Sequence, residues 1–279
     1  KNRKAILERL QELGAMEIDI QLEDDSLGEK QDVASSRALF ERRAQTADQA
    51  LAILNIYVPE KKGMLDSLAG KPLVEKELFE KAAENQDQYM ATASRIVTLD
   101  KQIAESKAAV LKVQNQVEAL APWLSLTVPV SYTGTQKTAV LIGTMPNPQD
   151  QQSILNLLAG AVPDVEAVDV ELISTDKDFT YLAVICMKQD AGKVEEVLRT
   201  GGFSKPSSPV QKIPEEYKKD LEAEIAKAQE QVKQLESELA ECAVSRQDLE
   251  LISDYYRTRA EKYRILGQIP QTASTFAIS

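Results

Sequence analysis

The chain has 279 residues, enough for two ordinary domains, but 28% of them are charged, 5% are aromatic and Trp123 is the single tryptophan. That composition belongs to helical rods more than to one large core. A net charge of −11 argues against a nucleic-acid or anionic-membrane surface as the main partner, since both need a basic face. With no histidine in the chain, His-based triads, His metal sites and the commonest general acid–base group are excluded. The two cysteines, Cys186 and Cys242, fall in an apolar strand pattern and a helix seam. Buried reduced thiols of a cytosolic protein fit that setting, and two scattered cysteines cannot build a structural zinc site.

At the N-terminal end, Ala5, Ile6, Leu10 and Leu13 predict a short amphipathic helix stopped by Gly14. Met16, Ile18, Ile20 and Leu22 alternate with acidic or polar residues as a half-buried strand does. The acidic loop over 23–29 lacks the spaced ligands and terminal bidentate Glu of a calcium loop, and reads as a solvated turn. A helix follows from about Ser35 to Tyr57, Pro59 and Gly63 interrupt the pattern, and a short helix ends near Gly70. Gly70-Lys71 is no phosphate loop: Pro72 follows the Lys, and no strand precedes it.

Pro72, a good first-turn residue, opens a long helix to about Ala121, roughly 70 Å at the α-helical rise. Tyr89, Ile96, Ile103, Val110 and Val117 recur in it at strict sevens, with Ala93, Leu99, Val113 and Leu120 in the alternate positions. A seven-residue period on a 3.6-residue helix makes a stripe that needs a partner along its length.

The middle of the chain changes texture. Thr138–Thr144 reads as a strand, Asn147-Pro148-Gln149-Asp150 as a capped helix start, and Ile154, Leu155, Leu157 and Leu158 as that helix's inner face. Val168, Val170 and Leu172 alternate with Asp169 and Glu171 in a second strand, and Tyr181–Met187 is a third, apolar on both sides. A helix over 192–200 ends at Gly201-Gly202, and Phe203 opens a weak fourth strand limited by Pro206. The order βαββα(β) predicts a ferredoxin-like two-layer lobe with helices on one sheet face. Tyr181, Ile185 and Met187 are assigned to the other face as a partner-binding surface, Tyr keeping its polar tip at a wet edge. The competing expectation is that the helix tip or the fourth strand covers them.

Pro214, with Glu215 and Glu216, opens the second long helix, which runs to about Leu266, roughly 80 Å. Leu221, Ile225, Ala228, Val232, Leu235, Leu239, Cys242 and Leu249 keep an alternating 4–3 spacing, broken by Arg246. The helix begins acidic and ends basic, with Arg257, Arg259, Lys262 and Arg264. This complements the helix dipole, and the same four residues are a second candidate contact, for an acidic partner. Ala93, Ala104, Ala228 and Ala240 thin the seam, so a strut that keeps its length but bends is expected.

Two matched stripes around a lobe find their cheapest partners in each other. The expected architecture is α+β: an elongated dumbbell whose two small α/β lobes are joined by a long antiparallel two-helix coiled coil. The near lobe takes 1–71 with 267–279, the coiled coil 72–121 with 213–266, and the far lobe 122–212. No nucleophile-plus-base set, cofactor motif or small-molecule site is expected, so the chain reads as non-catalytic. No run of eighteen apolar residues spans a bilayer. Lys1 stands within a helical pattern and the last residues read as a strand cut short, so the chain is expected to be a piece of a longer polypeptide.

Three stretches resemble a known family. Lys4-Ala5-Ile6-Leu7-Glu8-Arg9-Leu10-Gln11-Glu12-Leu13-Gly14-Ala15-Met16-Glu17-Ile18 looks like the N-terminal helix and strand of subunit I (subunit a) of V/A-type rotary ATPases. The end of the chain is similar too: Asp254-Tyr255-Tyr256, Arg259-Ala260-Glu261-Lys262-Tyr263 and Thr275-Phe276-Ala277-Ile278. So is the far-lobe strand Val140-Leu141-Ile142-Gly143-Thr144-Met145-Pro146. The chain departs from the family at both ends, lacking its first strand and its membrane domain, so no residue here can inherit the proton-transfer arginine.

The resemblance implies a stator arm at the cytoplasmic face of a membrane. Its E and G peripheral-stalk partners would dock at both lobes, with rotor and membrane subunits of the same complex nearby, and no nucleic acid. An alternative of another class is the arm and hinge of an SMC-like chromosome ATPase, against which stand the short rod and the absence of a nucleotide motif. A ligand-sensing module on a stalk would need a Gly-lined polar pocket that the sequence does not offer.

Overall fold

A computed structural model describes residues 33–60, 74–207 and 210–268, together with 9, 29–30 and 270–271. The patterns read over 5–28, the short helix ending near 70, Pro72 and the terminal strand over 274–279 lie outside the described residues. The chain forms two compact units, one from Lys1–Ala104 with Lys233–Ser279 and the other from Glu105–Val232. The fold is α+β.

In the first unit, β1 (Glu29–Lys30) pairs antiparallel with β5 (Pro270–Gln271). Helix α1 (Ala34–Tyr57) packs along α7 (Arg246–Gln268) through a line of small residues. Ala44, Ala47 and Ala50 are buried, so the backbones can approach closely before Ile53 and Leu54 widen the contact. From α7 come Leu249, Ile252 and Tyr256, all fully buried. Phe40 lies 6.1 Å from the Tyr256 ring and 5.1 Å from Tyr263, an aromatic cluster that ties the two helices together. Helix α2 (Lys76–Glu84) joins α7 through Phe79 and Tyr255, 5.6 Å apart.

The two long helices expected from the sequence are each interrupted. The first stops at Asn85, whose backbone N–H and side-chain amide both bond the Lys81 carbonyl at 3.0 Å. Asn competes for backbone partners in this way, and α3 (Gln86–Leu120) begins afresh beyond it. The second is α6 (Pro214–Glu241), a 3₁₀ segment at Cys242–Ser245, and then α7. Within the first unit α3 runs antiparallel to the second helical stretch: Arg95 pairs with Glu238 at 3.2 Å, while earlier in α3 Tyr89 bonds Asp248 farther along the chain. The seam is dry there, with Ala93, Ile96, Leu99, Ile103, Leu239 and Leu249 buried.

In the second unit Val113, Leu120 and Leu221 form a buried cluster, flanked by Val117, Tyr217 and Ile225. The sheet has the order β2–β4–β3, all antiparallel, from β2 (Thr138–Pro146), β3 (Val168–Thr175) and β4 (Phe179–Met187). Helices α4 (Gln151–Ala161) and α5 (Ala191–Thr200) cover one face, with Ile154, Leu158, Val194 and Leu198 packed on Leu141, Val170, Leu182 and Val184. The weak fourth strand reduces to one bridge, where Ser204 and Thr144 exchange two 2.9 Å backbone bonds. Phe203 is buried beside it, over Gly143.

Candidate interaction surfaces

Alternation along β4 puts Leu182, Val184 and Cys186 into the helical face and Tyr181, Ala183, Ile185 and Met187 on the opposite face. The end of that second face carrying Tyr181 is closed. A 3₁₀ turn at Ala121–Trp123 and the chain after it lay Trp123, Leu126 and Val130 over Ile142 and Ala183. Trp123 meets the Tyr181 ring edge-on at 5.1 Å. The Tyr181 hydroxyl donates to Asp176 Oδ2 at 3.0 Å, and burial followed by that carboxylate pushes the phenol above its ordinary range. Ile185 is half-buried and Met187 is 37% exposed, so the solvent-facing part of this face is narrow.

Strand β3 lies at the sheet margin, but its backbone is engaged. Gln151 Nε2 donates to the Val170 carbonyl at 2.5 Å, the Asp169 carboxylate accepts the Val170 N–H, and Ser125 Oγ donates to the Ile173 carbonyl. These side chains blunt the edge against strand addition. Burial, then the charge of Asp190, raises the Cys186 thiol, and both cysteines are free.

The basic run of α7 lies in the first unit, with Lys262 buried, Arg259 half-buried, and Arg257 and Arg264 exposed but paired. Arg257 pairs with Asp48 of α1 at 2.6 Å, and the same carboxylate accepts from Ser253 at 2.6 Å. Arg259 stacks its guanidinium over Phe40 and Tyr255, 5.7 and 5.3 Å from the ring centres. Lys262 is buried, and Arg264 forms a fork with Glu261 at 2.5 and 2.8 Å. A shallow cleft of about 280 Å³ between α1 and α7 is lined by Glu41, Gln45, Asp48, Arg257, Glu261 and Arg264. Among the described residues no group of His, Cys, Asp and Glu could hold a metal, and no helix is long and apolar enough to cross a membrane.

One residue matters more than the sequence reading allowed. Arg246, visible only as a flaw in the seam, is buried and caps the far end of α1. Its guanidinium donates to the carbonyls of Val58 (2.6 Å) and Leu54 (3.5 Å), bonds Asn55 Oδ1, and pairs with Glu60 at 3.3 Å. A charge at a seam position was the available signal.

No known protein family matches the chain by sequence profile, and no curated protein matches it in sequence. Comparison of folds gives a different result. A solved structure of the cytoplasmic N-terminal domain of subunit I, homolog of subunit a, of V-ATPase superposes with a TM-score of 0.51 at 19% identity. The match covers 94% of this chain and 83% of that one, so the chain shares the fold of that domain over nearly its whole length.

Proposed function

We propose that the chain is a non-catalytic stator arm of a V/A-type rotary ATPase that moves protons or sodium ions. Its place is the cytoplasmic face of the membrane, between the ion channel and the peripheral stalks of E and G subunits. The observation that carries this reading is the fold likeness to the subunit I domain across 94% of the chain. The absence of histidine and the pairing of Arg257 and Arg264 with carboxylates of the same unit favour a structural role over a chemical one. In this reading the stretch 72–121, with α2 and α3, pairs antiparallel with 213–266, with α6 and α7, as a coiled coil. A proximal lobe (1–71 with 267–279) and a ferredoxin-like distal lobe (122–212) then complete a dumbbell. Each lobe docks a stalk end, and the rod sets their separation against torque. The candidate contacts are Ile185 and Met187 with the rim around Tyr181, and the exposed heads of Arg257 and Arg264.

Binding of purified E/G heterodimers to the immobilised chain tests the partner assignment. Retention at about 0.15 M salt is expected, weakening as salt screens the acidic surface. No retention at any salt would count against the docking role.

A further inference from the structure

The seam position held by Arg246 is a poor place for a charge unless the charge is fully partnered. Its main partner is the Val58 carbonyl just past the end of α1, with a longer bond to the Leu54 carbonyl, which also accepts the Val58 N–H; a helix C-terminus is a position that favours a cation. Immediately before it, Cys242–Ser245 leaves α-helical geometry for a 3₁₀ segment, and Val244 stands 88% exposed. Segments of 3₁₀ helix inside a long helix mark places where the chain changes direction or strain.

Packing changes at the same level. C-terminal to Arg246, α7 has α1 and α2 against it. N-terminal to Cys242, the end of α6 meets α3 at Arg95–Glu238, and α1 ends at Tyr57, whose hydroxyl reaches on to Asp100 of α3 at 3.1 Å. Resistance to bending falls where supporting helices stop, and contact density falls with it. Helix α3 passes this level unbroken, with Asn85 one turn before the Tyr89–Asp248 contact. Motion here is therefore a bend and not a fold-back.

We propose that Cys242–Ser245 is a hinge at which the end of α6 bends against α7, and that Arg246 is its anchor. By clamping α7 to the end of α1, Arg246 confines the bend to the four residues before it. This inference does not depend on the stator reading.

The test is pulsed electron–electron distance measurement on the full chain, with spin labels on genetically encoded ketone residues so that both cysteines stay in place. One pair, Gln49 with Ser237, spans the hinge; the other, Gln49 with Thr258, stays on the α1–α7 side. The distribution across the hinge should be about twice as wide as the control. Arg246→Met should widen the Gln49–Ser237 distribution further and leave Gln49–Thr258 unchanged, and Glu60→Gln should give part of that effect. Equal widths for the two pairs in the native chain would overturn the proposal. So would equal broadening of both pairs in Arg246→Met, or in Glu60→Gln should Arg246→Met fail to fold.

Discussion

Gly143 lies on β2 beneath the ring of Phe203, and a Cβ there would stand 2.4 Å from Phe203 Cζ and 2.5 Å from the Ser204 carbonyl. The ring rests on bare backbone, which lets Ser204 bridge to Thr144. Gly143→Ala must push out the ring or the bridge, so it should cost about 1–3 kcal/mol in urea unfolding. Gly160, in α4, has open space around a Cβ. Gly160→Ala should therefore stabilise, by about 0.5–1 kcal/mol on helix propensity. Equal effects at the two sites would show that the close approach of Phe203 is not a constraint. Arg246 is the opposite case, a side chain defined by its partners. Replacing it with Met removes the ion pair to Glu60 and the donors to Asn55 Oδ1 and the Val58 carbonyl, at a cost of about 3 kcal/mol in the same assay. A loss under 1 kcal/mol would mean that the cap contributes little.

Three carboxylates hold elements of the second unit together. Asp150 caps α4 by accepting the Ser153 N–H at 2.7 Å, and Asp176 takes the N–H groups of Asp178 and Phe179 in the β3–β4 turn. Glu195 on α5 is braced by Lys205 at 2.8 Å and Arg199 at 2.6 Å. These bonds hold all three below the usual carboxylate range: the Ser153 contact for Asp150, the two turn N–H groups for Asp176, and Lys205 first for Glu195. A folded pKa below the unfolded one gives stability that is complete above about pH 4 and lost as pH falls through the folded values. Thermal unfolding followed by the fluorescence of Trp123, which sits in this unit, should shift to lower temperature between about pH 5 and pH 3. Asp176→Asn should flatten part of that slope, and an unchanged slope would contradict the assignment.

The elements most legible in the sequence were those with strong periods. The helix expected from Ser35 to Tyr57 spans Ala34–Tyr57, and the apolar seam positions from Ala93 to Leu249 are buried or half-buried except Ala104 and Ala240, which are exposed. The βαββα order over 138–200 also followed from alternation and caps. The interruptions at Asn85 and Cys242–Ser245 were hidden because neither carries Gly or Pro; the first lies ahead of the stripe that begins at Tyr89, and the second falls inside the 4–3 spacing. The second has its partner in a contact from Arg246 to α1, nearly two hundred residues away in sequence, which no local pattern carries. Cover over Tyr181 by the helix tip or the fourth strand was the competing expectation; it comes from Trp123–Val130, just past the end of the helix, a stretch with neither a helical nor a strand period.

Over 94% of the chain the fold is like that of the subunit I domain although only 19% of residues are identical. That is physically reasonable for this architecture. A seam accepts many apolar side chains of similar volume, and a two-layer lobe needs alternation more than particular residues. The surface carries the rest of the account, because a net charge of −11 directs the chain toward partners with basic patches. The central claim is membership of a rotary ATPase. Its most direct test is purification of the full polypeptide carrying this chain from native membranes in mild detergent, through an affinity tag, followed by mass spectrometry of what accompanies it. The account predicts ATP-hydrolysing head, rotor and E/G stalk subunits in stoichiometric amounts. Recovery of the polypeptide without them, or with chromosome-associated ATPase components in their place, would contradict it.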